Sequence, residues 1–567
     1  MWSALEDVAD ILEQMAEGTC LPRYYLASLD PGVGKTKTMI HFIRTLLASE
    51  DHERVSVLIC VSRLDEIRNL VEEMGLSRSQ FSVLTSDTDL NGLGSDDRDQ
   101  ARILFTTQQM IESRCQGEQF KHVSAFHYQG QARDVRIWDE AILPGQPLTL
   151  KRDDLGHLFG PIRLRHPALA KDIEDLFIQI KEASCGSRVE IPDYSEKHGV
   201  DLNTVIGCLS ESPKQHIDAV TTLWLLSGKL VTVKQDGASG NTLLDYRDTL
   251  PDDFAPLLIL DASGRVRATY DQWERKRGNL IRLSKAEKSY RNLTVNVWQT
   301  GGGKHAFRTN GEQLIDGIVS TINNKPKEEW LVVHHKTKGG IDVPSGVKAL
   351  MDGNPGRVHF THWGDHHGTN AYAHVSNVIL AGTLFLPASQ YEALGRLGAG
   401  LSSAQSLDPQ DFQQIRIGEY RHLILQALCR GSVRRCDGAV CAPCDAYIIA
   451  SAQSGIAETL PEIFPDCRVK RWQPVKKVLK GKIAEALKVI QDYFSSHPRE
   501  LLPFREVADA VQMTDLKNFR RSIRKHPDFV EALAEAGVME FGPGRNPTGF
   551  RMAVSVFGFD GIDDGDF

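Results

Sequence analysis

The stretch Leu29 to Thr36 reads LDPGVGKT. It follows Tyr24-Tyr25-Leu26-Ala27-Ser28, an apolar run that predicts a buried strand, and it precedes Lys37 to Ser49, where apolar residues recur at helical spacing. Between strand and helix, Gly32 and Gly34 would let the backbone of Pro31, Gly32, Val33 and Gly34 curl around the phosphates of a nucleoside triphosphate. Lys35 would reach the outer phosphate oxygens, and the Thr36 hydroxyl would ligate Mg²⁺ at a helix N-terminus. A plain glycine-rich turn into a helix is the alternative, and Leu29 stands where the first glycine of such a loop usually lies.

A second chemical feature is Val135-Arg136-Ile137-Trp138-Asp139-Glu140-Ala141. A strand delivering Asp139 beside the first loop would hold the Mg²⁺ ion through its carboxylate, and Glu140 would orient or deprotonate the attacking water. Two apolar runs end in polar tips between these motifs. Val55 to Val61 ends at Ser62-Arg63, and Ile103 to Phe105 ends at Thr106-Thr107 before a helix. Structural capping and phosphate contact are both open for these threonines.

This order of loop, Ser-Arg tip, Thr-Thr-Gln tip and Asp-Glu-Ala box resembles the first RecA-like domain of superfamily 2 helicases. Leu257 to Ser263, ending Asp261-Ala262-Ser263, resembles that superfamily's third motif. Gly364 to Gly382 resembles the fifth, with Asn370 where aspartate is usual, and Gln426 to Arg435 (QALCRGSVRR) resembles the sixth. The resemblance implies two lobes with ATP and Mg²⁺ between them, and catalytic roles for Lys35, Glu140, Arg430 and Arg434. In it, Arg430 projects across the cleft towards the γ-phosphate, with either Arg434 or Arg435 as the second finger. It further implies that Ser62, Arg63 and Thr107 hold nucleic-acid phosphates.

The chain has 567 residues, 41% hydrophobic and 25% charged, with a net charge of −8, so no global basic footprint points to nucleic acid. Positive charge is local instead: from Arg471 to Asp528, thirteen Lys/Arg stand against seven Asp/Glu. No run reaches the ~18–20 apolar residues of a membrane span, and the first residues read as an acidic amphipathic helix, so a cytoplasmic protein is expected. Ten cysteines with no secretory signal predict reduced thiols. Cys429, Cys436, Cys441 and Cys444 could hold zinc or an iron–sulfur cluster; His362, His366 and His367 invite a metal, although no carboxylate or cysteine at familiar spacing completes that second site.

The expected fold is α/β. Two RecA-like parallel-sheet domains cover residues 1–284 and 285–472, with a mostly helical insertion at about 150–255 in the first. A basic winged-helix-like domain at 475–555 and an acidic tail at 556–567 follow. In the basic domain a third helix would present Lys517, Arg520, Arg521 and Arg524 to DNA, with Arg545 at the tip of the wing. The expected activity is an ATP-dependent helicase or translocase on nucleic acid, DNA before RNA. An ATP-gated clamp or scaffold that opens no duplex is the alternative. A terminase-like packaging motor fits less well, because the region after the ATPase offers the arginine motif and a basic module in place of clustered acidic strand ends.

Overall fold

The computed structural model describes residues 2–552 apart from 238–239, 337–341, 365–370, 476–478, 480, 499 and 543–546. Arg545, His366, His367, Asn370 and the acidic tail therefore lie outside the described residues. The chain forms two compact units, Met1–Pro474 and Val475–Phe567.

The first unit holds two parallel sheets. The seven strands of one run in the order Leu280–Arg282, Tyr24–Leu26, Leu257–Leu260, Val135–Asp139, Val57–Val61, Ile103–Thr107, Phe81–Leu84. Every adjacent pair is parallel. The sequence VLICV at Val57–Val61 is buried throughout, as a strand covered on both faces must be. Helix Lys35–Ala48 covers one face with Met39, Ile40, Ile43 and Leu46, a single stripe at helical spacing. The second sheet has six parallel strands in the order Val358–His362, Trp330–His334, Asn377–Ala381, Cys444–Ala450, Leu293–Gln299, Arg468–Arg471.

The insertion adds a sheet to the helices expected of it. Helices Pro167–Glu182, Leu202–Cys208 and Lys214–Leu226 are present, but they pack on a four-stranded antiparallel sheet ordered Gly145–Lys151, Asn241–Asp248, Leu230–Gln235, Arg188–Glu190. Of the four strands only Leu230–Gln235 overlaps a stretch, Lys229 to Val233, that reads as a strand in the sequence. Gly145–Lys151 (GQPLTLK) contains glycine and proline, which hide its alternation of buried and exposed positions. Helix Ala388–Ala399 of the second half docks against this sheet, where Ser389 donates from its N–H and Oγ to Asp236 and Lys234 pairs with Glu392 at 2.6 Å.

The halves are joined again by a buried ion pair. Arg267, just past the Asp261 segment, donates from Nε and Nη2 to the two carboxylate oxygens of Glu419 at 2.8 and 3.1 Å, and Thr269 Oγ1 adds a third hydrogen bond at 2.8 Å. Glu419 lies mid-way along helix Pro409–Leu428, whose end leads to Arg430.

In the second unit, helices Gly481–Ser496 and Phe504–Ala510 precede Leu516–Phe519, which continues as a wider π-type turn over Arg520–Arg524. A further helix, Pro527–Glu535, comes before strand Val538–Phe541, which pairs with Gly549–Met552. That helix is an addition to the three read from the sequence.

Burial alone would raise the Glu419 carboxyl, but Arg267 outweighs it and holds the group below the ordinary range. A carboxyl held low in the folded state stabilises above its unfolded pKa and loses that contribution as pH falls through its folded value. Glu419→Gln should therefore lower the thermal midpoint at pH 7, in line with the ~3–5 kcal/mol lost when one partner of a buried pair is removed. Thermal denaturation followed across pH should show the gap between the two proteins narrowing in acid.

Candidate functional site

The Leu29–Thr36 loop joins strand Tyr24–Leu26 to helix Lys35–Ala48, as the strand–loop–helix reading requires. Gly32 has φ +85°, and a Cβ there would stand 2.1 Å from the carbonyl oxygen of Arg434. Only glycine permits this approach of the loop to the arginine segment of the other half.

Two buried side chains hold the approach. Asp30, fully buried, accepts from Arg265 Nε at 2.9 Å and from the Lys288 N–H at 3.1 Å. The Lys288 ammonium donates to the carbonyls of Pro31 (2.8 Å), Val433 (2.7 Å) and Arg434 (3.0 Å).

Lys35 donates to the Leu29 carbonyl. The residue is half-buried, and the charges of Glu140 and Asp139 act on its ammonium. Loss of water around that end pushes its pKa down, against the pull of the two carboxylates. Thr36 follows in the first turn of the same helix.

Asp139 ends its strand, with its backbone carbonyl fixed by Gln108 Nε2 at 2.9 Å. Burial, then the charges of Glu140 and Glu66, push its carboxyl up to about 7 against the opposing pull of Lys35. Glu140 has φ +80° and donates its N–H to the Leu260 carbonyl at 3.3 Å. Gln426 Nε2 donates to Glu140 Oε2 at 3.4 Å, and Gln426 Oε1 accepts from Arg430 Nη2 at 2.8 Å. Arg430 is 1% exposed, and burial pulls its pKa down to about 10 while Glu140 resists. Arg434 is half-buried and its charge reaches Lys35 and Asp139, whereas Arg435 is exposed.

Behind the acidic pair, Asp261 is fully buried. Its Oδ1 accepts from the N–H and Oγ of Ser263, and its Oδ2 from Tyr270 OH at 2.8 Å. The Tyr270 oxygen in turn accepts from the N–H of Ile142, two residues past Glu140.

The helix start at Lys35, the strand end Asp139–Glu140, and Arg430 and Arg434 of the other half are thus brought together, with Thr36 next to Lys35 on its helix. Ser62 lies at its strand tip and donates to Glu66 at 3.4 Å, and Arg63 takes the N-cap position of the next helix without a capping bond from its side chain. Thr107 is placed differently from the phosphate-contact reading: it is 7% exposed and its Oγ accepts from the Met110 N–H, capping helix Gln108–Cys115. Arg524 is likewise committed, because its guanidinium makes two 2.9 Å bonds to Glu540 and stacks over Phe504. Lys517, Arg520 and Arg521 are exposed in the second unit. Among the described residues no three of the four clustered cysteines bring their sulfurs together, and burial pushes Cys444 up to about 12.

Glu66, Gln426, Lys288 and Asp30 carry no expected role in the sequence. Glu66 stands one helical turn past Ser62, and burial followed by Glu140 pushes its carboxyl up to about 7. That spacing is the one signal that could have found it.

Residues 4–141 match the family model of the type III restriction enzyme, res subunit. No curated protein matches the sequence. Similar solved structures include apo XPD (13% identity, 82% of this chain and 99% of that chain, TM-score 0.48) and S. tokodaii Xpd4 (11%, 83% and 100%, 0.47). S. cerevisiae Dbp5 bound to RNA and ADP BeF3 is also similar (10%, 82% and 88%, 0.38). At TM-scores below 0.5 none of these likenesses carries an argument about this chain.

Asp139 holds its proton more tightly when folded than its ordinary value of 3.8 allows. Between that value and about 7 the folded protein binds more protons than the unfolded one, so rising pH destabilises it. Asp139→Asn should melt at a higher temperature than the parent at pH 8, with an advantage that shrinks at pH 5, as thermal scans at both would show.

Residues 4–141, the part of the chain that matches the family model, thus carry both the Leu29–Thr36 loop and the Asp139–Glu140 strand end, within the first of two parallel sheets.

Proposed function

We propose that the chain is an ATP-driven helicase or translocase acting on nucleic acid, DNA before RNA. The observation that carries the reading is the meeting of Lys35, Asp139 and Glu140 from one half with Gln426, Arg430 and Arg434 from the other around a single crevice.

The oxygen donors of Thr36 and Asp139 suit a hard divalent cation, and Mg²⁺ held there would neutralise phosphate charge. Lys35 binds the outer phosphates from the loop. Glu140 orients the attacking water and takes its proton, and its backbone geometry aims the carboxylate at Gln426. Arg430 turns towards the charge developing on the transferred phosphoryl group, with Arg434 beside Lys35. Ser62 and Arg63 hold the nucleic-acid backbone, and the exposed Lys517, Arg520 and Arg521 add a salt-sensitive DNA contact from the second unit.

A clamp that uses hydrolysis only to reset itself is the second reading, favoured by the close packing of Gly32 on the Arg434 carbonyl. Strand displacement on forked DNA separates the two readings. The motor requires displacement that depends on ATP and disappears in Glu140→Gln, whereas hydrolysis with neither displacement nor movement supports the clamp.

Lys35→Ala should abolish hydrolysis, and Arg430→Ala should slow single-turnover hydrolysis by about 10³- to 10⁵-fold with nucleotide binding largely kept. Ending the chain at Pro474 should weaken DNA binding and leave basal hydrolysis intact. Equal DNA affinity in that shortened protein would remove the second unit from the proposal.

A further inference from the structure

Three adjacent strands of the second sheet begin side by side: Trp330–His334 lies between Val358–His362 and Asn377–Ala381, with Trp330 opposite both Val358 and Asn377. Their starts bring together Glu329, immediately before the first of these strands, His359, the second residue of its neighbour, and His374, three residues before the third. One ligand atom from each lies within 4.8 Å of the other two.

The spacing suits an ion rather than a simple ion pair. His374 Nε2 is 2.9 Å from Glu329 Oε2, so that pair is satisfied by itself. His359 Nε2 is 3.8 Å from the same oxygen, beyond hydrogen-bond reach. It is closed to solvent and has no hydrogen-bond partner. Ligand atoms around one tetrahedral zinc, each ~2.0–2.2 Å from the metal, stand roughly 3.4 Å apart, a value between the two separations seen here.

Neighbouring groups fix the carboxylate. Glu328, one residue earlier, sends its own carboxylate to Asn377 Nδ2 at 2.7 Å and to Lys325 at 3.6 Å. The same Asn377 amide donates to the Glu329 backbone carbonyl at 3.1 Å. Glu329 is thus held in place by its backbone, with its side chain directed to the two imidazoles.

We propose that Glu329, His359 and His374 bind one divalent transition metal of the zinc class. Two imidazoles and one carboxylate form a donor set that zinc accepts, with a fourth position left for water. The ion would tie three strand starts together. It would also anchor the stretch in which Val375, next to His374, accepts a hydrogen bond from Ser432 N–H at 2.7 Å, two residues past Arg430. Of the histidines that first invited a metal, His366 and His367 lie outside the described residues, and His362 sits three residues along the strand from His359, with its Nδ1 3.2 Å from the Trp363 carbonyl.

The full chain, stripped with a chelator, is titrated with Zn²⁺ alone, and separately with Co²⁺ as a spectroscopic probe. The expected result is one zinc equivalent that the double variant His359→Ala/His374→Ala fails to bind, together with a ligand-field absorption of bound Co²⁺ that the variant lacks. Equal zinc uptake by the parent and the double variant would overturn the proposal. Should the double variant fold poorly, Glu329→Gln gives the decision: at least tenfold weaker zinc binding with a shifted Co²⁺ spectrum supports the site, and unchanged affinity and spectrum overturn it.

Discussion

One buried ammonium holds the nucleotide-type loop against the arginine segment. Lys288 is 1% exposed and gives its three protons to carbonyls from both halves, Pro31 on one side and Val433 and Arg434 on the other. An ammonium stripped of water is costly unless each proton finds a partner. Those partners are complete only where the two halves approach as closely as Gly32 and the Arg434 carbonyl do. The lysine therefore favours this spacing of the halves over wider ones. Asp30 reinforces it, because the carboxylate that receives the Lys288 N–H also binds Arg265, whose Nη1 reaches the Glu462 carbonyl in the second half.

From that seam two chains of contacts close on Glu140. One runs through the first half, where the Ile142 N–H, Tyr270 OH and Asp261 link the acidic pair to the segment that follows strand Leu257–Leu260. The same segment carries Arg267 and Thr269 to Glu419, and helix Pro409–Leu428 takes the connection on to Gln426. Gln426 then completes the circuit, with its amide on Glu140 and its carbonyl oxygen receiving Arg430. Any movement of the helix along its axis changes the Arg267 pair and the Arg430 position together. Rigid packing gives such a loop of contacts discrete arrangements in place of a continuum.

The residues that define the two sheets and the crevice are legible because parallel strands buried on both faces must be apolar, and because phosphate and magnesium chemistry restricts which side chains can stand at their tips. Tyr24 to Thr36 and Val135 to Glu140 show this directly. The antiparallel sheet of the insertion is not legible, since Gly145–Lys151 and Asn241–Asp248 alternate weakly and carry glycine, proline and charge. Lys288 is invisible for another reason: its value comes from partners more than one hundred residues away in sequence, and no local pattern marks it. Thr107 shows the limit in the other direction. A hydroxyl at a strand tip serves a helix cap as well as a phosphate, and here the cap takes it.

Glu140 itself occupies a backbone region that side-chain-bearing residues avoid, at φ +80°. Such a conformation costs of order 1–3 kcal/mol and persists only when its surroundings over-determine it. Here its N–H is held by the Leu260 carbonyl of the neighbouring strand, and Asp139 before it is fixed by Gln108. Glycine would adopt this geometry without strain but would bring no carboxylate to Gln426. The strain is thus tied to the position of one side chain, which the turn sends out of the sheet and across to the second half. Relaxing it would swing the carboxylate away from Arg430, so the local backbone cost and the contact between the halves stand or fall together.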